Sequence, residues 1–349
     1  MSVIVPGEPQ KSHRATEDRL EKLREEAGRT GRVAETGVAI VGGPIPRDAK
    51  ASSGYYGQPI VKPPVWTWQI GLYLFVGGTA GMSGVIALAS LLADQSLDVV
   101  RAALGVAFAG ALISPALLIW DLGRPTRFLN MLRVFKWRSA MSMGVWTLFL
   151  FGGFSGSAFV LVEAWNFLMQ SDVPPTALRG IALALVAGTA LSGVVLATYT
   201  GVLLGATAVP VWSAHHKLLP FHFGSVGLGS AAAVLELFGF RIAALNAIGL
   251  TVAAVETGVG GWIEIRRQGV TARAIHDGTP GLLLRTAALL TGPGALILRI
   301  VGWVPIAAIG FLIGAIFSRY GWVLAGRTSA SDPEETIATQ RRGSESVAL

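Results

Sequence analysis

The residues that could carry chemistry in this 349-residue chain are polar side chains within or beside long apolar segments. Asp121 and Arg124 end one apolar run in the motif DLGRP. Gln69 and Tyr73 lie four residues apart in another run, so a helix would place them on one face. Tyr199 lies in a third run. Polar groups are costly inside a bilayer and are functional candidates there, and we expect these side chains to line one pocket at a single membrane surface.

Each of these candidates also has a structural interpretation. Asp121 and Arg124 could form an ion pair that fixes the loop at the end of a helix. Tyr73 and Tyr199 could pack at the membrane interface, with their hydroxyls satisfied by the backbone. Glu256, deep in a further apolar run, could serve a proton path or cap a structural hydrogen-bond network.

The elements that position these residues are membrane helices. The composition is 52% apolar and only 14% charged, and the apolar runs can cross a hydrocarbon core, which takes about 20 helical residues. Glycine-rich stretches such as Gly77–Gly84 and Gly224–Ala233 are typical of closely packed helix faces in lipid. We therefore predict an all-α polytopic membrane protein with about eight transmembrane helices. The predicted spans are 67–93, 98–120, 140–164, 178–209, 222–239, 242–264, 281–298 and 302–325.

The composition also excludes several kinds of site. The protein has no cysteine, so it cannot ligate an iron–sulfur cluster through thiolates. Its histidines lie in predicted tails and loops, away from mid-membrane, so we expect no haem and no metal in this protein. The five histidines are His13, His215, His216, His222 and His276. We attribute the net charge of +7 to membrane topology rather than to nucleic-acid binding.

The basic residues are distributed unevenly between the two sides of the membrane. The positive-inside rule therefore predicts that both termini and the Asp121 loop face the cytoplasm, in a cell inner membrane. The side predicted to be cytoplasmic carries Arg124, Arg127, Arg133, Lys136, Arg138, Lys217, Arg266, Arg267, Arg273, Arg285 and Arg327. The other side carries only Arg101, Arg179, Arg241 and Arg299.

The ends of the protein are expected to lie outside the membrane. Residues 1–60 form a soluble and partly extended N-terminal arm, and residues 327–349 form a cytoplasmic tail. The arm is either a disordered lead-in or a segment that contacts a partner subunit. Tyr55 and Tyr56 favour the contact, because tyrosines are unusual in a purely solvated linker.

Four stretches carry a family resemblance, which runs from about Tyr55 to Pro333. They are PPVWTWQIGLYLFVGGTAGMSG, SPALLIWDLGRPTRFLNMLRVFKWRSAMSMGVW, LATYTGVLLGATAVPVW and RYGWVLAGRTSASDP. Together they resemble the NrfD/polysulfide-reductase membrane subunit family, and DLGRP with the following RFLNMLR is the most specific part. The resemblance implies two four-helix bundles, at 61–210 and 211–326, with a menaquinone or ubiquinone site in the first.

The same resemblance implies partners and residue roles. The partners are a four-cluster ferredoxin-type iron–sulfur subunit and a molybdenum or tungsten bis-pterin catalytic subunit. The family motif falls on Asp121 and Arg124, which we interpret as the catalytic pair. The quinone-binding candidates are Trp66, Gln69, Tyr73 and Tyr199, the proton-path candidate is Glu256, and the docking candidates are Tyr55, Tyr56, Arg127, Arg133 and Lys136.

The function implied is electron exchange between a partner iron–sulfur subunit and the membrane quinone pool. The arm resembles an actinobacterial type associated with formate dehydrogenase, and a cytoplasmic catalytic partner suits formate oxidation. Two alternatives stay open, namely a structural anchor without a working quinone site and a secondary transporter.

Overall fold

The structure is a computed structural model that describes residues 60–122, 126–169, 176–265 and 271–339. Some of the predictions concern residues outside these ranges, namely the N-terminal arm with Tyr55 and Tyr56, Arg124 of the DLGRP motif, and the end of the C-terminal tail. The side chain of Arg127 is also outside the described part.

The described residues form helices without any strand, which confirms the all-α prediction. Eight helical segments of this part are long and apolar enough to cross a membrane, counting α10 and α11 as one. The helices are α1 Trp68–Leu92, α2 Leu97–Asp121, α3 Arg127–Leu132, α4 Ala140–Met169, α5 Thr176–Gly205, α6 Pro210–Ala214, α7 Leu218–Leu237, α8 Ala243–Ile265, α9 Ala272–His276, α10 Gly278–Thr291, α11 Pro293–Ile300 and α12 Val304–Ser331.

The observed helix bounds differ from the predicted spans in the C-terminal part of the protein. The span predicted at 281–298 is divided at Gly292 into α10 and α11. Pro293 has no N–H group, so the Leu289 carbonyl lacks the donor that a continuous helix would supply. The last helix continues to Ser331, beyond the predicted end at 325.

We group the spans by their order in the sequence into an N-terminal set (α1, α2, α4 and α5) and a C-terminal set (α7, α8, α10–α11 and α12). Within the N-terminal set, α1 contacts α2 and α5 most extensively. Helix α7 packs against α1 and α5 as well as against α8 and α12, so it joins the two sets. Helix α1, which carries Gln69 and Tyr73, therefore lies between α2, α5 and α7.

Glycine allows the helices around α1 to approach closely. A Cβ atom at Gly81 would lie 2.3 Å from the backbone oxygen of Gly193 on α5. A Cβ atom at Gly227 on α7 would lie 2.8 Å from the backbone oxygen of Gly78. The neighbouring atoms belong to the backbone and cannot move aside. The predicted glycine packing faces are thus confirmed, and they fix the position of α1.

A buried ion pair connects the helices near the membrane face where α7 ends. Both Arg299 guanidinium NH groups donate to the Glu236 carboxylate, each over 2.7 Å, and one of them also donates to Asn246 over 3.1 Å. Arg299 is 3% exposed. Arg299, one of the few basic residues predicted on that side of the membrane, pairs with Glu236 inside the protein. Gly249 leaves room for the guanidinium.

Replacing Gly81 by alanine should weaken the folded protein. The new methyl group would overlap the Gly193 backbone, and overpacking of this kind costs about 1–3 kcal/mol. Gly153→Ala is the matched control, since nothing lies within 4 Å of a Cβ at that position. Thermal unfolding in detergent should show a lower melting temperature for Gly81→Ala only. Equal melting temperatures for the two variants would contradict the assigned contact.

Glu335, in the helical segment 333–339, is expected to make stability depend on pH. Burial raises the pKa of its carboxyl above the ordinary 4.5, and Asp332 adds to the rise. Hydrogen bonds from Ser329 and the Ala274 backbone and the charge of Arg273 oppose it. The folded protein therefore holds this proton more tightly than the unfolded protein. The stability that the protonated Glu335 carboxyl adds to the folded protein is complete below about pH 4.5. This stability is lost as pH rises through the raised pKa.

Glu335→Gln should remove this loss. As pH rises through that pKa, the melting temperature of Glu335→Gln should become higher than that of wild type by a growing margin. Thermal unfolding at a series of pH values measures this difference. Glu334→Gln is the control, because the Glu334 side chain is 85% exposed. A difference between Glu335→Gln and wild type that stays constant with pH would show that the Glu335 proton is not held more tightly in the folded protein.

Candidate functional site

Asp121 lies where the end of α2 meets the beginning of α1. Its carboxylate accepts a hydrogen bond from the Thr67 backbone N–H, over 3.3 Å, and another from the Thr67 hydroxyl. Thr67 is the residue that precedes α1. A carboxylate is disfavoured at the C-terminus of its own helix and favoured at the N-terminus of another, because of the helix dipole. Asp121 therefore joins the end of α2 to the beginning of α1.

Gln69 connects Asp121 to the interior of the helix set. Its side-chain amide contacts the same Thr67 hydroxyl that bonds to Asp121, and the residue is 8% exposed. The Thr67 hydroxyl can donate only one hydrogen bond. The Gln69 amide therefore either donates from its NH2 group to the Thr67 oxygen, or its oxygen competes with Asp121 for the hydroxyl proton. The series of contacts from Asp121 through Thr67 to Gln69 reaches from the membrane surface to a buried amide. Sequence analysis did not single out Thr67.

The two tyrosines proposed for this site differ in their hydrogen bonding. The Tyr199 hydroxyl donates to the Ala140 backbone oxygen, which holds it against α4. A Cβ atom at Gly144 would overlap the Tyr199 ring, so glycine is required there. Tyr73 is 3% exposed, and its hydroxyl has no hydrogen-bond partner among the described residues. Tyr73 is thus the tyrosine whose hydroxyl is available to a ligand.

A second unpaired hydroxyl lies near Tyr73. A Cβ atom at Gly77 would lie 3.6 Å from the Tyr73 ring and 3.7 Å from the Ser114 hydroxyl oxygen, so these two side chains flank Gly77. Ser114 is fully buried, and its hydroxyl has no partner in the described part of the protein. Buried hydroxyls are normally paired, and unpaired ones call for an explanation such as a ligand or an ordered water.

Trp66 has a packing role in this structure. Its ring stacks on that of Trp212, with centroids 5.1 Å apart. Trp212 is fully buried, and its indole N–H donates to the Trp322 backbone oxygen over 2.8 Å. The segment before α1 is therefore fixed against the C-terminal set.

An apolar groove runs along the outer side of α2. It has a volume of about 310 Å³ and lies between α2, α3 and α4. Ala111 and Pro115 of α2 contribute to its wall, and Phe128 and Leu132 of α3 lie at one end. Ser114 belongs to the same turn of α2 but contacts the Tyr73 side. One helical turn thus separates an apolar groove from the unpaired hydroxyls of Tyr73 and Ser114.

The segment between α3 and α4 exposes basic and aromatic side chains together. Arg133 and Lys136 are exposed. Phe135 and Trp137 are 54% and 68% exposed, and the Arg138 guanidinium lies over the Trp137 ring at 4.7 Å. This surface lies on the membrane face where α2 ends, which we call the Asp121 face.

Glu256 lies in the C-terminal set, away from the residues above. It is 2% exposed, accepts a hydrogen bond from Ser225, and has a carboxylate oxygen 2.8 Å from His222 Nδ1. His222 lies in the first turns of α7 and is buried, so its predicted place at a loop was wrong. Sequence analysis also missed Arg319, which is buried in α12. The only signal in the sequence for Arg319 was an arginine within an apolar run.

The described residues contain no group of three His, Cys, Asp or Glu side chains that could hold a metal ion. The cluster around Asp121 presents a carboxylate, an amide and two hydroxyls without a partner among the described residues. The cluster around Glu256 presents a buried acid–base pair.

Comparison with known proteins relates this arrangement to a family. The family model described as "Polysulphide reductase, NrfD" matches residues 59–251, which is more than half of the sequence. The protein belongs to this family. The match spans the helices from α1 to α7 and the beginning of α8, and it includes Asp121, Gln69, Tyr73 and Tyr199. With its eight apolar helices, this NrfD family member is a multi-pass membrane protein.

A curated relative shows a more local similarity. Over 94 residues the sequence is 35% identical to the C subunit of polysulfide reductase from Wolinella succinogenes. The alignment covers 25% of this sequence and 29% of that subunit, so the protein matches less than a third of the length of this relative.

Proposed function

We propose that this NrfD family member is the quinone-reactive membrane subunit of an oxidoreductase complex. The unpaired Tyr73 hydroxyl beside Gln69, buried one helix away from an apolar groove, is the observation that carries the proposal. A quinone needs hydrogen-bond donors for its carbonyl oxygens and an apolar path for its tail. The buried hydroxyls provide the donors and the apolar groove provides the path, and they lie around one turn of α2.

In this proposal, the quinone head group lies near the Asp121 face with its ring among α1, α2 and α5. Tyr73 and the Gln69 amide donate to its carbonyl oxygens and stabilise negative charge as electrons arrive. The tail follows the groove lined by Ala111, Pro115 and Phe128. Trp66 and Tyr199 hold the surrounding helices rather than the ring, because their side chains are already engaged.

Reduction of a quinone to a quinol consumes two electrons and two protons. The electrons are proposed to come from the iron–sulfur clusters of a partner subunit, since this protein has no cysteine to hold clusters. Asp121 is the proposed proton carrier, because it connects the surface to Gln69 through Thr67. Arg124 is proposed to keep Asp121 ionised between turnovers, as an opposite charge within about 4–6 Å does.

The partner is proposed to dock on the Asp121 face. The exposed aromatic and basic segment with Arg133, Phe135, Lys136 and Trp137 supports this, because aromatic residues and arginine are enriched in protein interfaces. Tyr55, Tyr56 and Arg127 belong to the same proposed contact. We propose that this partner is a four-cluster ferredoxin-type subunit that joins a molybdenum or tungsten bis-pterin catalytic subunit.

The Asp121 face is proposed to be cytoplasmic on the basis of its excess of basic residues. A cytoplasmic partner suits the oxidation of a soluble substrate such as formate, with menaquinone or ubiquinone as the acceptor. Co-purification of the complex, with identification of the subunits and the bound quinone, would test each of these assignments.

Tyr73→Phe should weaken quinone binding, because it removes an available donor. The loss of one neutral hydrogen bond is worth about 0.5–1.5 kcal/mol, so the KM for a short-chain quinone should rise roughly 2- to 10-fold. Tyr199→Phe is the matched control, since its hydroxyl bonds to the Ala140 backbone. Steady-state quinone reduction by the assembled complex provides the measurement. A KM increase in Tyr199→Phe equal to that in Tyr73→Phe would contradict the assignment.

Asp121→Asn should slow quinone reduction while the complex remains assembled. Asparagine can still accept the Thr67 hydrogen bonds, but it cannot carry a proton. Loss of a general acid or base typically costs about 10²–10⁴-fold in rate. Asp98→Asn is the control, because Asp98 is an exposed carboxylate at the other end of α2. Wild-type turnover of Asp121→Asn in an intact complex would mean that Asp121 only caps α1.

A quinone-analogue titration distinguishes this function from a structural anchor. The purified complex should bind one analogue per copy of this subunit, and Tyr73→Phe should weaken that binding. Absence of binding by the wild-type complex would support the anchor instead.

A further inference from the structure

The C-terminal set contains a cluster of ionisable groups that the proposed quinone site does not use. It consists of His222 and Ser225 on α7, Glu256 on α8, and Ser318 and Arg319 on α12, and we call it the inner cluster. His222 Nδ1 lies 2.8 Å from the Glu256 carboxylate, and its Nε2 lies 2.8 Å from the Ser318 hydroxyl. A carboxylate and an imidazole at this distance inside a membrane segment are costly and default to a functional interpretation.

Arg319 adjusts the charge of this cluster. Its guanidinium donates to the Phe223 backbone oxygen over 2.9 Å and lies over the Phe223 ring at 3.7 Å. Its charge also acts on Glu256. With Glu256 ionised, Arg319 charged and His222 neutral, the cluster has no net charge. The cluster thus brings a carboxylate, an imidazole and a guanidinium together inside the membrane segment.

A cavity of about 50 Å³ lies between the inner cluster and a second acid–base pair. Its wall includes His222, Glu256 and Ser318 at one end and Glu264 and His276 at the other. The Glu264 carboxylate lies 3.4 Å from His276 Nδ1. A water molecule occupies about 30 Å³ of liquid and needs polar partners, so this cavity can hold water. Glu264 is 45% exposed and lies at the Asp121 face.

The cavity lies between Glu256 and the Asp121 face, and its lining is mostly apolar. Arg285 of α10 contributes to its wall, and a wider groove of about 430 Å³ borders Glu256 and Arg285 on the outer side of α8 and α10. That groove is lined largely by Gly260, Gly261, Ala288 and Leu289 and faces the region where lipid would lie. Hydrocarbon supplies no protons. Protons can therefore reach Glu256 from the Asp121 face along the cavity.

An apolar layer separates the inner cluster from the opposite membrane face. It consists of Val226, Val252, Ala253, Ala295, Phe311 and Ala315, which pack as one buried group. Beyond this layer lies the buried Arg299–Glu236 pair. A cavity thus lies on one side of Glu256 and a packed apolar layer on the other, as a site that loads from one face requires.

Helix α12 connects the inner cluster to α1. Its consecutive residues Ser318, Arg319 and Tyr320 contact, in turn, His222, Phe223 and α1. The Tyr320 hydroxyl donates to the Trp68 backbone oxygen over 2.7 Å, and its ring occupies the space beside Gly71. One turn of α12 therefore contacts both the inner cluster and the helix that carries Gln69 and Tyr73.

We propose that His222 and Glu256 form a proton-loading site that takes protons from the Asp121 face and delivers them across the membrane during quinone turnover. This inference rests on the proposed quinone function. In the loading step, a proton passes from water through the Glu264–His276 pair and the cavity onto the His222–Glu256 pair. Delivery to the opposite face then requires the packing of the apolar layer to open, since this layer closes the site on that side.

The test uses the purified complex reconstituted in liposomes. Reduced methyl viologen supplies electrons and 2,3-dimethylnaphthoquinone accepts them, while an enclosed pH-sensitive dye reports proton movement. The quantity compared is the number of protons moved per quinone reduced, after subtraction of the protons consumed by reduction itself. Quinone reduction is recorded separately in the presence of a protonophore.

Wild type should move protons across the membrane, and Glu256→Gln should lower the ratio at least about 5-fold. Glu256→Asp should keep at least half of it, because the carboxyl group is retained. Thr257→Val is the matched control, since the Thr257 hydroxyl donates to the Ala253 backbone oxygen of its own helix, over 2.7 Å. If Glu256→Gln fails to assemble, His222→Asn gives the same comparison.

Two results would overturn the inference. One is a wild-type complex that reduces quinone but moves no protons, and the other is a Glu256→Gln or His222→Asn complex with an unchanged ratio. A wild-type complex that fails to reduce quinone at all would instead reject the proposed function, so the two failures are distinguishable.

Discussion

The cost of an unpaired polar group in hydrocarbon is the constraint on which the rest of this structure depends. Backbone groups satisfy it by forming helices, and small hydroxyls satisfy it by bonding within their own helix, as Thr79 does to Phe75. Ionisable side chains cannot do so alone. They pair across helices, and each pair fixes the position of the helices that carry it.

Three such pairings hold the helices in register. Asp121 joins the end of α2 to the beginning of α1. Glu236 and Arg299 join α7 to α11, and His222 and Glu256 join α7 to α8. Removing one partner of a buried ion pair typically costs about 3–5 kcal/mol, because the other charge is left uncompensated. The same pairs that stabilise the fold are therefore also the groups able to hold protons.

Several buried polar atoms of the described residues lack a hydrogen-bond partner, and the Ser114 hydroxyl is one that lies beside the series of contacts from Asp121 to Gln69. It flanks Gly77 together with Tyr73, whose hydroxyl makes no hydrogen bond to another described residue. A donor in such a position has the most to gain from a ligand, since no internal bond must be broken first. This contrast separates Tyr73 from Tyr199, although both are buried tyrosines on the same set of helices.

The positions of most helices could be predicted from the sequence, because apolar length alone decides what can span a membrane. The break at Gly292 was missed because the apolar run continues through it. The shared face of Gln69 and Tyr73 also followed from their spacing, since helical periodicity is a local property. His222 was misplaced because it lies near a predicted helix end, where hydropathy does not fix the boundary.

By itself, the sequence determined that this is an all-α membrane protein of the NrfD family, with the DLGRP motif at a helix end. The motif and the apolar runs are contiguous in the sequence, so no tertiary information is needed to recognise them. Only the tertiary structure decided that Thr67 binds Asp121, that Tyr199 is already engaged, and that Glu256 pairs with His222. Each of these contacts joins different helices, and no pattern within one helix specifies which neighbour its polar face will meet.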